Sequence, residues 1–185
     1  TQERGALLDK IESHLIAVYG DTSEAESDAL FEEPSEDRPS LKRHLLSYGS
    51  DDWVVSEEDL PKVRQILNQP GVEKLVPADG EFLWESKTEE LSDGRRYRRL
   101  YYLKSRIEMT GETIGDAKVS TGQSFQNAGQ PIVNLTMKDE GVKIFSRVTG
   151  AHVGERMAII LDNRIYSAPT IQVKIRDGRS IITGS

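Results

Sequence analysis

Three histidines are the side chains best suited to bind a metal ion, and they lie far apart, at His14, His44 and His152. None is followed within two to four residues by a second ligand in a metal-site pattern, although Glu12 precedes His14. A metal site needs three or four ligands that converge on one point. We therefore predict that the chain binds neither a metal ion nor another cofactor.

Ser167 is the candidate nucleophile, and a triad with His152 and Asp162 can be written from the sequence. If both residues lie on one hairpin, Asp162 is about 15 Å from Ser167 at the rise of a strand, which is too far for direct contact. Ser167 also lacks the flanking glycines of a nucleophile elbow, and Asp162 is better explained as a turn residue. The glycines form no phosphate-binding motif. The sequence thus predicts a chain that is not an enzyme.

The segment from Arg95 to Arg106 interleaves basic and aromatic residues, a pattern typical of proteins that bind single-stranded nucleic acid. The alternative is a hairpin that turns at Asp93-Gly94 and matches these arginines to an acidic strand before them. The predicted partners are Glu89 with Arg98, Trp84 with Leu103, and Glu81 with Arg106. We favour the charge-matched hairpin, and predict no binding of nucleic acid, because the whole chain is acidic.

Composition agrees with that choice. The 185 residues carry a formal net charge of −7, and 36% are hydrophobic while 30% are charged. Residues 1–93 hold 9 basic and 23 acidic groups, whereas residues 94–185 hold 15 basic and 8 acidic groups. There are no cysteines, so neither disulfides nor thiol chemistry are available. The longest apolar run is far shorter than the ~20 residues of a membrane helix, and we expect a soluble piece of something longer.

The elements of the first half follow from local signals. Leu8, Ile11, Leu15 and Val18 predict an amphipathic helix over residues 3–18. Residues 21–40 are acidic and rich in serine and proline, so we predict a mobile linker that ends near Leu41. Residues 53–55 should form a strand, and residues 60–67 a helix capped by Asp59, because Pro61 fits only the first turn. Residues 72–76 are predicted to form another short strand.

The elements of the second half are clearer. Residues 131–137 alternate like a half-buried strand, and a helix over 139–149 follows, with Thr136 and Asp139 as a possible capping box. The apolar run Met157–Leu161, the pair Asp162-Asn163 and the strand before Pro169 predict a hairpin. Because the run Met157–Leu161 does not alternate, we expect Ile159 and Ile160 to be buried in a central strand. The predicted fold is α+β, with a largely antiparallel sheet and packed helices.

The same hairpin carries a family resemblance. L-D-N-R-I-Y-S-A-P-T-I at residues 161–171 resembles the L-D-x-x-(V/I)-x-S-A-P-x-I signature of the SecD family of protein-export factors. M-T-G-E-T-I-G-D-A at 109–117, G-Q-P-I-V at 129–133 and I-I-T-G at 181–184 follow the same order, so the resemblance covers residues 109–185. Residues 82–84 and 100–104 resemble, more loosely, the branch in which SecD and SecF are fused.

The resemblance implies a fragment of a larger cytoplasmic-membrane protein. SecD proteins work with SecF beside the Sec channel and assist late protein export, driven by the proton gradient. Residues 1–185 would be a single head domain on the extracytoplasmic, periplasmic side, attached to the membrane through segments outside this sequence. Its partner would be unfolded exported polypeptide, met by an apolar groove or a free strand edge. The alternative is a non-catalytic domain that docks other export subunits.

Overall fold

The computed structural model describes residues 2–19, 39–48, 52–91, 94–123 and 128–183. Its contacts divide the chain into two compact units, Thr1–Ser105 (unit 1) and Arg106–Ser185 (unit 2). All strand pairings are antiparallel, and helices accompany them in both units, which confirms the α+β class. Most of the predicted linker over residues 21–40 lies outside the described residues. The mobile linker and the single head domain therefore stay predictions.

Unit 1 contains an antiparallel sheet that packs against helices. Its sheet has the order β1-β2-β5-β3, with β4 also paired to β5. Its helices are α1 (Gln2–Tyr19), α2 (Leu41–His44), α3 (Leu60–Leu67) and α4 (Pro70–Glu73). Its strands are β1 (Leu46–Tyr48), β2 (Asp52–Ser56), β3 (Gly80–Trp84), β4 (Glu89–Glu90) and β5 (Arg96–Lys104).

The helix predicted over residues 3–18 is confirmed as α1, but the set of residues that it buries differs from the predicted set. Leu7, Ile11 and Leu15 are buried in one cluster with Val55 of β2, whereas Val18 is exposed. Leu7, Ile11 and Leu15 recur every four residues and so share one face of a helix. The predicted stripe began at Leu8, which is only partly buried, and packing against the sheet places Leu7 in the core instead.

The short strand predicted over residues 72–76 is wrong. Pro70 begins a single helical turn instead, because its fixed φ suits the first position of a helix. Val72 points from that turn into the core of unit 1 and is fully buried. Val72, Leu75 and Val76 recur at the i, i+3, i+4 spacing of a helical turn, which the predicted strand overlooked.

The hairpin over residues 81–106 is confirmed, and its predicted register is wrong. Glu89 lies opposite Tyr97 instead of Arg98, and Trp84 lies opposite Leu100 instead of Leu103. The first strand is interrupted between β3 and β4, where it carries two more residues than β5 does. A one-residue shift moves every side chain to the other face, so this interruption decides which arginine meets which acid. Asp93 of the predicted turn lies outside the described residues.

Unit 2 contains a three-stranded sheet of order β10-β7-β6 and a separate two-stranded sheet. Its elements are β6 (Ile114–Thr121), β7 (Pro131–Met137), α5 (Asp139–Ala151), β8 (Ile159–Leu161), β9 (Arg164–Ser167) and β10 (Arg179–Thr183). The strand predicted over 131–137 and the helix predicted over 139–149 are both confirmed. Lys138, not Thr136, occupies the N-cap position of α5, and no side chain caps it.

The hairpin at residues 156–168 is confirmed, but its predicted place in the fold is wrong. Asp162 and Asn163 have φ values of 49° and 61°, which the two central residues of a type I′ turn require. However, β8 and β9 pair only with each other among the described strands, so they form no central strand. Ile165 is fully buried, whereas Ile160 is 39% exposed and Ile159 is half-buried. The apolar run is therefore partly a surface feature.

Candidate functional site

The three histidines do not converge. Nδ1 of His44 lies 3.1 Å from Oδ1 of Asp59, and Nδ1 of His152 lies 3.0 Å from Oε2 of Glu155. Glu12 is used structurally, since it accepts hydrogen bonds from the start of α2, including one from the Lys42 backbone N–H. Within the described part of the chain, no three potential ligands come close enough to hold a metal ion.

The carboxylate of Asp59 contacts three side chains at the start of α3. Its Oδ2 accepts a hydrogen bond from the Ser56 hydroxyl at 3.0 Å, and its Oδ1 faces His44 and Lys62. Partial burial would raise the pKa of Asp59, but the hydrogen bond and the neighbouring cations outweigh it and lower the pKa. A carboxylate before the first turn of α3 also suits the positive end of that helix. The Ser56 hydroxyl donates its hydrogen to this carboxylate, so the arrangement stabilises the start of a helix.

Arg99 of β5 is the centre of an ionic cluster that the predicted hairpin only partly anticipates. Its guanidinium lies 3.4 Å from Asp52, 3.6 Å from Glu85 and 3.0 Å from Glu89, measured to the closest carboxylate oxygen of each. Glu85 is opposite Arg99 on β3's continuation, and its backbone N–H donates to the Arg99 carbonyl. Asp52 and Glu89 lie at diagonal positions on the two neighbouring strands, within reach of a long side chain.

The electrostatics of this cluster are those of a structural anchor. Burial would lower the pKa of Arg99, but the hydrogen bond and charge of Glu89, with the charge of Glu85, raise the pKa above its ordinary value. Nearby, Arg96 pairs with Glu57 and Arg98 donates to the Thr88 hydroxyl. Arg96, Arg98 and Arg99 are thus matched to acceptors within unit 1, in agreement with the charge-matched hairpin. The absence of nucleic-acid binding stays a prediction.

The outer edge of β6 is the feature of unit 2 most suited to binding another chain. β6 is eight residues long, and among the described strands it pairs only with β7. Its residues after Ile114 are all exposed, and Val119 at 76% is among the most exposed apolar side chains. An unpaired edge presents backbone N–H and C=O groups to any extended chain that comes near. We call this surface, Ile114–Thr121, the β6 edge.

The face of this sheet adds apolar contacts beside the edge. Val119 lies opposite Val133 of β7, and Ala117 lies opposite Leu135. Opposite residues of paired strands point to the same face, so these four side chains form one apolar strip. An incoming strand at the β6 edge would therefore find both backbone partners and apolar side chains. Sequence reasoning missed β6, whose only signal is the spacing of Ile114, Val119 and Thr121 among small and polar residues.

The β8–β9 hairpin exposes a second, smaller apolar surface. Leu161 is 56% exposed, and Ile160 and Tyr166 are also exposed. Ser167 and Asp162 of the hypothetical triad lie on this hairpin, and His152 lies after α5 beside Glu155. The structure thus gives Asp162 the role of a turn residue, as the sequence predicts.

Comparison with known proteins identifies the family. A family model described as "SecDF, P1 head subdomain" matches residues 86–185, more than half of the chain. The protein translocase subunit SecD of Rhodothermus marinus is 37% identical over 164 residues, which cover 84% of this chain and 25% of that protein. The SecDF subunit of Thermus thermophilus is 41% identical over 76 residues, or 41% of this chain and 10% of that protein.

The chain therefore belongs to the SecD/SecDF family of protein translocase subunits, and its residues 86–185 are a P1 head subdomain. The resemblance found over residues 109–185 is confirmed, and the match begins upstream, at Ser86. A solved structure of SecDF, a membrane component that enhances protein export, aligns with the whole chain at 20% identity and a TM-score of 0.41, covering 81% of that chain. The chain spans about a quarter of the length of its first SecD relatives. None of its described helices has the length and apolarity needed to span a bilayer.

Proposed function

We propose that this chain is an extracytoplasmic head that contacts exported polypeptide and assists late, proton-gradient-driven protein export. The proposal combines family membership with one structural observation, the free β6 edge within the matched head subdomain. In this proposal the full protein is anchored in the cytoplasmic membrane and works with SecF and the Sec channel. The head carries out no chemistry, and its part is binding.

The β6 edge suits a substrate that has no fixed sequence. Exported chains share a backbone but not their side chains, and strand addition uses backbone hydrogen bonds for affinity. The apolar strip beside the edge, represented by Val119 and Val133, would add contacts that tolerate many side chains. Weak and sequence-tolerant binding is what a factor needs if it must release each segment before it meets the next one.

Site-specific photo-cross-linking tests this proposal in the full-length protein assembled with its export partners. A benzophenone amino acid at Val119 should form adducts with an exported chain arrested in the channel. The same probe at Lys62, an exposed residue of α3 in unit 1, serves as the control. Adducts of equal yield at both positions, or none at Val119, would contradict the proposal.

A pair of substitutions separates edge binding from general surface contact. Val119→Lys places a charge on the free edge, which discourages pairing with another strand, whereas Val119→Thr keeps a β-branched side chain. We expect Val119→Lys to lower cross-linking from the neighbouring position Ser120 and to slow late export. Val119→Thr should do neither. Equal behaviour of the two variants would show that strand addition is not the mode of contact.

A second candidate function is docking of other export subunits, and the β8–β9 hairpin favours it. Leu161 and Tyr166 lie on one face of the hairpin and are both exposed, and an exposed apolar surface of this kind suits a fixed partner better than a changing one. Probes at Leu161 would then yield adducts of one constant mass, independent of the exported chain. If Val119 probes behaved in this way too, docking would replace polypeptide contact as the function.

A further inference from the structure

An open cleft in unit 2 gathers four positive charges on the outer side of α5. Its volume is about 500 Å³, and none of the residues that line it is acidic. The polar and basic residues of this cleft come from α5 and from the segment before β10: Lys143, Ser146, Arg147, Gly150, Lys174 and Arg176. We call it the basic cleft.

The sequence of α5 places these groups together. Lys143 and Arg147 are four residues apart, so they are neighbours on one face of the helix, where like charges destabilise each other. Gly150 then leaves room for Lys174, since a Cβ atom at position 150 would lie only 2.9 Å from Cδ of Lys174. The Lys174 side chain therefore lies against the helix at Gly150, where it joins a pair of like charges that already repel each other.

No ion pair between described residues neutralises this cluster. Among the described residues, none of the four cations forms an ion pair, whereas three acids of unit 2 pair elsewhere: Glu108 with Arg106, Asp116 with Lys118, and Glu155 with His152. Asp177, adjacent to Arg176 in sequence, accepts a hydrogen bond from the Arg179 backbone N–H and does not line the cleft. Repulsion within the cleft would be relieved by a bound anion.

We propose that the basic cleft is a binding site for a phosphate group. Arginine guanidinium groups bind phosphate oxygens in pairs, and lysine ammonium groups add point charges. The Ser146 hydroxyl supplies a neutral donor on the helix between Lys143 and Arg147. The phosphate can belong to a lipid headgroup or be free in solution, and both present the same anionic oxygens. This site does not depend on polypeptide contact at the β6 edge.

Titration of the 185-residue chain with inorganic phosphate, at constant ionic strength, tests the site directly. Amide NMR shifts should saturate and should concentrate in α5 and residues 173–176. Sedimentation with vesicles identifies the source of the phosphate. Vesicles that contain phosphatidylglycerol should bind the chain, and vesicles of phosphatidylcholine alone should not, if a lipid headgroup is the ligand. Saturation with inorganic phosphate, without vesicle binding, would assign a soluble phosphate.

Two double variants with equal net charge distinguish a site from general attraction. Arg147→Gln with Lys174→Gln should weaken binding by about tenfold or more, because hydrogen bonds to charged groups are the stronger ones. Arg106→Gln with Arg164→Gln removes two exposed cations of unit 2 outside the cleft and should leave the affinity within about twofold. Amide spectra of both variants report whether unit 2 keeps its fold.

Three results would overturn the proposal. The first is the absence of saturable binding to both phosphate and phosphatidylglycerol vesicles. The second is an equal loss of affinity in the two double variants, which would indicate attraction by net charge alone. The third is tighter binding of a glutamate-rich peptide than of either phosphate source, which would make the cleft a contact for an acidic protein segment.

Discussion

The two units differ in how their strand edges and charges are satisfied. In unit 1, the edge strand β1 has three residues, and the opposite edge is interrupted between β3 and β4. In unit 2, β6 offers eight residues with no described partner on its outer side. Short and interrupted edges discourage pairing with other chains, and a long regular edge invites it. Among the described strands, the longest edge strand therefore lies in unit 2.

Charge follows the same division. Arg99 of unit 1 is surrounded by three carboxylates, whereas the four cations of the basic cleft in unit 2 line a space without acids. Both arrangements bring like charges together, but only the first includes the opposite charges that balance them. In unit 1, the ionic groups around Arg99 link neighbouring strands, whereas in unit 2 the four cations of the basic cleft have no described ion-pair partner.

Removal of the Arg99 charge should have the largest effect on stability. Arg99→Met leaves the carboxylates of Asp52, Glu85 and Glu89 close together, so we expect a loss of about 3–5 kcal/mol in the free energy of unfolding. Both tryptophans of the chain, Trp53 and Trp84, lie in unit 1, so urea unfolding followed by tryptophan fluorescence reports this unit.

The control for that measurement is Arg96→Met. Arg96 pairs with Glu57 at the surface, where such pairs contribute about 0–1 kcal/mol. If Arg99→Met costs no more than Arg96→Met, the ionic cluster does not hold the sheet of unit 1 together.

Truncation of the core of unit 1 comes next. Leu100 is fully buried between β2 and β3, so Leu100→Ala should cost about 2–5 kcal/mol through lost burial and the cavity left behind. The same fluorescence measurement applies. A cost below about 1 kcal/mol would mean that this sheet packs no more tightly than a surface, which would remove the contrast with unit 2.

The hairpin of unit 2 should respond much less at its exposed position. Ile160→Ala should cost at most about 1 kcal/mol, because Ile160 already contacts solvent. Its cross-strand neighbour Ile165 is fully buried, and Ile165→Ala on the same hairpin should cost about 2–5 kcal/mol. Hydrogen exchange of the β8 and β9 amides measures both changes. Equal costs would place Ile160 in a core after all.

The smallest expected effect is a change of side-chain pKa with added salt. It is measured on two aspartates, Asp116 and Asp59, whose pKa values are both lowered. The pKa of Asp116 is lowered mainly by the hydrogen bond and charge of Lys118, an exposed pair. For Asp59, burial opposes the shift, but the hydrogen bond from the neutral Ser56 hydroxyl and the charge of His44 lower the pKa. At ~1 M salt the Debye length is only about 3 Å, so an exposed ion pair is weakened more than a partly buried one. NMR titration should therefore show Asp116 returning toward its ordinary pKa, with Asp59 still lowered.

The direction of the pH effect follows from the Asp59 shift. A carboxyl whose folded-state pKa is below its unfolded value stabilises the fold at pH values above its ordinary pKa of 3.8. That stabilisation is lost as the pH falls through the folded-state pKa. The stability difference between the wild-type chain and Asp59→Asn should thus vanish in acid. A difference that persists below that range would exclude ionisation of Asp59 as its cause.

Much of the fold could be predicted because its signals are local. Pro61 at the start of α3, the alternation of β7 and the Asp162-Asn163 pair each restrict φ and ψ through neighbouring residues alone. The family could be predicted for the same reason, since its signature is a contiguous run of residues. The Trp84–Leu100 and Glu89–Tyr97 pairings could not be predicted. Two extra residues between β3 and β4 change the register, and no distinctive sequence marks them.

The β6 edge and the basic cleft could not be predicted from the sequence, because each depends on contacts between distant segments. The sequence of β6 is compatible with a strand, but an edge is defined by which strands pair and which do not. The charges of the basic cleft lie on α5 and on a segment more than twenty residues later, and only packing brings Lys174 across Gly150. The exposure of Ile160 likewise depends on tertiary structure, because no strand in the described part of the chain pairs with the outer side of β8.

By itself, then, the sequence of this chain determined the types of most elements, the turn of the β8–β9 hairpin, the charge-matched character of β5 and the SecD family. These depend on backbone dihedrals and side-chain spacing, which act over a few residues. Only the tertiary structure decided the register at Arg99, the β6 edge and the basic cleft. It also decided that Ile165 is buried whereas Ile160 is exposed. Each of these is a property of segments distant in sequence, whose meeting is governed by the packing of the whole unit.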